Sequence, residues 1–162
     1  MSRVNNRGFT LIEVMIALVM VTLVIIPVAN VISGATYAAI EKRNIFAATS
    51  YAHELVEEIK MKRFEEMPGV TVLGRDAGET GRRNSFDDVD DYNGYREING
   101  IIALNGSLVD AGYRRTVTVE YVNDRDMITV SAAPTNTKLV TVRCRYGSQI
   151  NDEVVFTSVF IR

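Results

Sequence analysis

Gly8-Phe9-Thr10-Leu11-Ile12-Glu13-Val14 opens an apolar run that continues to Ile32, and the rest of the chain is read outward from it. Across residues 9–32 the sole charged residue is Glu13. A helix rising 1.5 Å per residue needs ~20 apolar residues to cross the ~30 Å hydrocarbon layer of a bilayer, and this run is long enough. A carboxylate in lipid costs at least ~2.5 kcal/mol on insertion scales, so Glu13 is a functional candidate that needs a partner.

Ahead of the run stands Met1-Ser2-Arg3-Val4-Asn5-Asn6-Arg7-Gly8, a short polar leader. Its two arginines favour retention of the N-terminus on the cytoplasmic side. A secretory signal would place small residues and a cleavage site after the apolar segment, and residues 21–32 offer no such site. Here a glycine lies in front instead, where a cut leaves the hydrophobic helix on the mature chain.

The string Arg7-Gly8-Phe9-Thr10-Leu11-Ile12-Glu13-Val14 resembles the class III signal of type IV pilins and of the pseudopilins of type II secretion. The likeness is strong over residues 7–32, continues in pattern to about residue 67 and is generic beyond. It implies that a membrane peptidase removes the leader, residues 1–8, by cutting after Gly8 and then methylates the new N-terminal Phe9. It also implies a membrane-spanning or filament-core helix at residues 9–33 and a single-pass protein of the bacterial inner membrane. The N-terminus would be cytoplasmic and the domain periplasmic, before assembly into a pilus at the cell surface or a periplasmic filament. The implied partners are other pilin or pseudopilin subunits, the prepilin peptidase and the inner-membrane assembly machinery. No cofactor and no enzymatic activity are implied.

The same likeness gives Glu13 a partner. Cleavage after Gly8 creates an ammonium group at Phe9, four residues before Glu13, and helical spacing brings both near one face. Within one chain that pair is weak. Between neighbouring chains in lipid, low dielectric drives the carboxylate of one subunit toward the amine of the next, which sets an axial register. On the residues alone, Glu13 could equally reach out of the first turn to the interface.

Composition limits the remainder. The chain has 162 residues, 47% of them hydrophobic and 23% charged, enough for one membrane helix and one small domain with a modest core. A net charge of −2 supplies no basic footprint for nucleic acid. Cys144 is the sole cysteine, so no intrachain disulfide can form. Many major pilins close a C-terminal loop with a disulfide, and the lack of one favours a minor pilin or a pseudopilin. Alternation in Val142-Arg143-Cys144-Arg145-Tyr146 places the thiol on a buried strand face.

Pro27 and Gly34 are helix breakers within the apolar run and its exit, so the helix is expected to bend or open between Val24 and Gly34. Beyond Gly34 the pattern becomes amphipathic over residues 34–67. Ile45, Ala48, Ala52, Leu55 and Ile59 form a stripe, with Glu54, Glu57, Glu58, Lys60 and Lys62 on the other side and Pro68-Gly69 as the stop. The stripe is read as packing on a sheet rather than as a coiled-coil seam. His53, the sole histidine, lies off it and is read as solvated, and without a second histidine or a cysteine pair no common zinc set can be built.

Residues 68–111 read as a long, glycine-punctuated connecting region. Within it Asp87, Asp88, Asp90, Asp91 and Asn93 could supply oxygen ligands to calcium. The spacing does not fit an EF-hand, and a solvated acidic turn anchored by Phe86, Tyr92 and Tyr95 is the preferred reading. Adjacent turn acids show no sign of the separated carboxylate pair that glycoside hydrolysis needs, so a membrane-anchored enzyme is disfavoured. A calcium-binding adhesion module on the same stalk is a further alternative.

The last third, residues 112–162, reads as three main antiparallel strands. Val117, Val119 and Tyr121 alternate on the first, Val140, Val142, Cys144 and Tyr146 on the second, and residues 154–161 close the meander. The expected fold is α+β, a long N-terminal helix packed on a small antiparallel sheet, as in pilins. The expected function is a minor pilin of a type IV pilus, with a type II secretion pseudopilin as the alternative.

Overall fold

The computed structural model describes residues 8–65, 72–76, 79–147 and 152–162. It divides into two compact units, residues 1–42 and 43–162, and a single helix, α1 (Leu11–Lys60), contributes to both.

In the first unit α1 is wholly exposed, and from Leu11 to Ile32 it is apolar on every face but for Glu13, long and apolar enough to cross a membrane. It runs unbroken through Pro27 and Gly34, so the expected opening between them is absent. Pro27 withholds one hydrogen bond, but an apolar surrounding offers the freed backbone groups no better partner than the helix itself. Thr22 and Thr36 direct their hydroxyls back to the carbonyls of Val19 and Ile32, at 2.8 and 2.9 Å, so their polar atoms are satisfied within α1.

In the second unit the helix stripe is buried at Ala48, Ala52, Leu55 and Ile59, joined by Val56, whereas Ile45 is 41% exposed and lies outside the core. Helix α1 stops at Lys60, short of the expected residue 67. Tertiary contacts supply the reason. Lys62 Nζ donates to the Phe86 carbonyl at 2.5 Å, and the Arg63 carbonyl accepts the Val89 N–H at 3.0 Å, so the chain leaves the helix to meet the acidic stretch. The expected stop at Pro68-Gly69 falls outside the described residues.

The sheet follows. β1 (Arg96–Glu97), β4 (Tyr113–Tyr121), β5 (Thr137–Tyr146) and β6 (Glu153–Ile161) form one four-stranded antiparallel sheet in that order. β2 (Ile101–Ile102) pairs separately with β3 (Leu108–Asp110). The inner faces of β4 and β5 match in register, Val117 opposite Val142 and Val119 opposite Val140, and pack with the helix stripe, Phe86, Val89 and Tyr92 in one core.

The region 68–111 is therefore not a plain connection. It holds 3-10 turns at Arg83–Ser85 and Asp90–Tyr92 as well as β1, β2 and β3. These elements are two or three residues long, too short for alternation to register in a sequence. At Gly100, where φ is +123°, a Cβ would come 2.7 Å from the Asp110 carbonyl oxygen, so the β2–β3 approach requires glycine.

Candidate functional site

Thr10 and Glu13 together start α1. Glu13 Oε2 accepts the Thr10 backbone N–H and the Thr10 hydroxyl, both at 2.8 Å, while the Glu13 N–H bonds the Thr10 carbonyl at 3.1 Å. Thr10-Leu11-Ile12-Glu13 is thus a capping box that satisfies donors left over at a helix N-terminus. Both side-chain contacts fall on Oε2, and Oε1 makes no hydrogen bond among the described residues. Gly8 and Phe9 lie just outside the helix, Phe9 being 87% exposed. A Cβ at Gly8 would meet nothing within 4 Å, so the fold itself has no need of glycine there.

Residues 3–29 match the family model of the prokaryotic N-terminal methylation motif. The N-terminal segment of the chain therefore carries a prokaryotic methylation motif. The match spans the Gly8-Phe9 junction, Glu13 and Pro27, and the apolar helix that follows fits anchoring in the inner membrane. No curated protein and no solved structure matches the chain.

The acidic stretch departs from the solvated turn its sequence implies. Asp88, Asp90 and Asp91 are buried, and only Asp87 is exposed. Asp88 Oδ1 accepts the backbone N–H groups of Asp90 and Asp91, and Asp91 Oδ2 those of Asp87 and Asp88. Asp90 lies 2.6 Å from Lys138 Nζ, Asp87 pairs with Arg63, and the side-chain oxygen of Asn93 accepts the Val119 N–H at 3.1 Å. Asp88, Asp90 and Asn93, three of the five expected calcium ligands, are thus engaged by protein groups, so the five do not all converge on one centre. The expected aromatic anchors do hold: Phe86 and Tyr92 are buried, and Phe86, Tyr92 and Tyr95 meet edge-to-face.

Three carboxylates do approach one another. Oxygens of Glu79, Asp87 and Asp91 lie within 4.8 Å, and Glu79, absent from the sequence reading, is the member that brings them together. Asp87 is already paired with Arg63, and Asp91 accepts two backbone N–H groups, so these oxygens are engaged within the protein. Burial and a hydrogen bond to Asp91 push the Glu79 carboxyl up to about 7, so a proton relieves their repulsion at neutral pH. A folded-state value above the unfolded one makes this contribution to stability full below the unfolded value of 4.5 and lost as pH rises through about 7. The melting temperature is accordingly expected to fall by a few degrees between mildly acidic and neutral pH, and Glu79→Gln to flatten that dependence. An unchanged slope in the variant would place the titration elsewhere.

The structure also reveals two buried ionic clusters that the pattern of apolar residues hides. Arg115 is fully buried and bonds Glu97 at both oxygens, Nε at 2.6 Å and one terminal nitrogen at 3.0 Å, and also donates to the Tyr51 carbonyl at 2.8 Å. Arg83 lies 3.5 Å from Glu97 and 2.6 Å from Glu58, and it donates to the Ile102 carbonyl. Tyr95 and Tyr92 complete the cluster with bonds to Glu97 at 2.9 Å and Glu58 at 2.7 Å. Glu58 is therefore not on a solvated helix face. Lys138, also fully buried, sits on Asp90, on the Phe64 carbonyl at 2.6 Å and over the Phe64 ring at 4.1 Å. Strand parity carries the signal for both cations. Arg115 shares its face with Val117 and Val119, and Lys138 shares its own with Val140 and Val142, so each needs a buried acid from elsewhere.

His53 is exposed, 3.7 Å from Glu57, with its ring edge toward Phe156. Cys144 is free and buried, and burial pushes its thiol up to about 12, which leaves it unreactive.

Proposed function

We propose that the chain is a minor pilin, an assembly component of a type IV pilus, cleaved after Gly8 and methylated at Phe9. The observation that carries this reading is the methylation motif over residues 3–29, seated on an exposed Gly8-Phe9 junction and followed by an all-apolar helix. Since nothing in the fold crowds Gly8, the glycine is there for the enzyme that handles it, a peptidase that must bring the backbone close to its catalytic groups. Motifs of this kind belong to structural subunits, so the chain acts by assembly and not by catalysis. The single cysteine favours a minor subunit over a disulfide-closed major one.

The capping box refines the part played by Glu13. One oxygen holds the first turn of α1, and the other makes no hydrogen bond among the described residues. A neighbouring subunit's Phe9 amine, created by cleavage, fits that second oxygen, and lipid strengthens the pair by lowering the dielectric around it. Pairing of this kind registers one apolar helix against the next in a filament core. The sheet and the 3-10 turns are left for contacts with other subunits or with the inner-membrane assembly machinery.

Intact mass of the protein purified from membranes, with and without a prepilin peptidase, tests the processing. The expected chain begins at Phe9 and carries one added methyl group only when the peptidase is present. A mass that retains residues 1–8 in both strains would sink the proposal. Glu13→Ala is expected to be cleaved normally but lost from filaments, and incorporation equal to wild type would remove the register role.

A further inference from the structure

A cleft of about 320 Å³ opens between the Arg83–Ser85 turn, β1 and the β2–β3 turn. Its lining contains Arg82, Arg83 and Arg96 and no carboxylate. Arg83 belongs to the buried cluster, where Arg83 and Arg115 balance Glu58 and Glu97. Arg82 and Arg96 are exposed, and neither guanidinium makes an ion pair or a side-chain hydrogen bond among the described residues. The cleft therefore holds two uncompensated cations in a chain whose net charge is −2. An adjoining pocket shares Gly81, Tyr95 and Arg96 and brings Arg75, likewise without a partner among the described residues. Its one acid, Asp91, is already engaged by two backbone N–H groups and by Glu79.

The rest of the lining narrows the anion. Tyr95 has its hydroxyl committed to Glu97, so it offers the cleft ring surface. Asn105 uses its side-chain oxygen on Ser107, its amide N–H groups make no hydrogen bond among the described residues, and the exposed Asn84 lines the same cleft. Guanidinium forks for a carboxylate, amides for hydroxyls and an aromatic surface for the apolar face of a ring are the complement of an acidic sugar. The volume lies at the small end of sites for small ligands, ~300–1,000 Å³, and a partner's helix or strand would not enter it. We infer that this cleft binds an acidic saccharide of the uronate class, with Arg82 and Arg96 on the carboxylate. The inference does not depend on the filament reading.

Titration calorimetry of the full chain in detergent micelles with trigalacturonate tests it. Saturable binding is expected, weakened about tenfold by Arg82→Gln and by Arg96→Gln, because each removes charged hydrogen bonds to the ligand. Arg125→Gln, at an exposed arginine outside the cleft, should leave binding unchanged, and maltotriose, which lacks the carboxylates, should not bind. All three variants should melt with the wild type, since their side chains are exposed. Four results would each overturn the assignment: no saturable binding, equal binding of maltotriose, equal potency of inorganic phosphate as a competitor, or an equal loss in Arg125→Gln.

Discussion

Glu97→Ala is expected to lower the stability of the globular unit by about 3–5 kcal/mol, the usual result of removing one partner from a buried ion pair. Glu97 is 2% exposed, stands directly across from Arg115 in the β1–β4 pair and also faces Arg83. Its loss strands the fully buried Arg115 cation, which cannot deprotonate to relieve the cost. Arg83 keeps Glu58, and the Tyr95 hydroxyl loses its acceptor. Urea denaturation of the full chain in detergent, followed by near-ultraviolet dichroism of the tyrosines, measures the loss. Adding Arg115→Met to the variant should recover much of it, because an apolar side chain of similar length carries no charge to strand. A loss under about 1 kcal/mol in the single variant would be the value for a surface pair and would show that the cluster is solvated.

Lys138→Met is expected to cost nearly as much at neutral pH and distinctly less in acid. The substitution keeps an unbranched apolar stem but leaves Asp90 without its cation and the Phe64 carbonyl without its donor. Burial already pushes the Asp90 carboxyl up while Lys138 pulls it down, so removing the lysine leaves the upward push unopposed. In acid the variant can bury a neutral carboxyl, and the deficit should shrink. The same urea experiment at two pH values checks this, and a deficit that does not change with pH would mean that Asp90 finds another partner or reaches water.

Both predictions concern residues that lie outside the apolar pattern. The buried faces of the long strands were legible because alternation over nine or ten positions is a strong signal, as in β4 and β5. Arg115 and Lys138 interrupt that alternation on its buried face, yet their partners are distant in sequence, 18 residues away for Glu97 and 48 for Asp90. The acidic stretch was misread for the same reason. Four aspartates in five residues look solvated until Lys138, Arg63 and the turn's own N–H groups are folded against them.

By itself the sequence determined the Gly8-Phe9 signal, the all-apolar helix, the stripe at Ala48, Ala52, Leu55 and Ile59, and the inward faces of the three long strands. Each of these is a local property, expressed in neighbouring residues or in a short period. Tertiary structure alone decided that α1 ends at Lys60 and that Glu97 and Asp90 meet cations on β4 and β5. It also placed Arg82 and Arg96 in the lining of one cleft, without ion-pair partners among the described residues. Those outcomes depend on which charges find partners once chain segments far apart meet, and pairing in a low-dielectric interior is set by distance in space, which the order of residues does not encode.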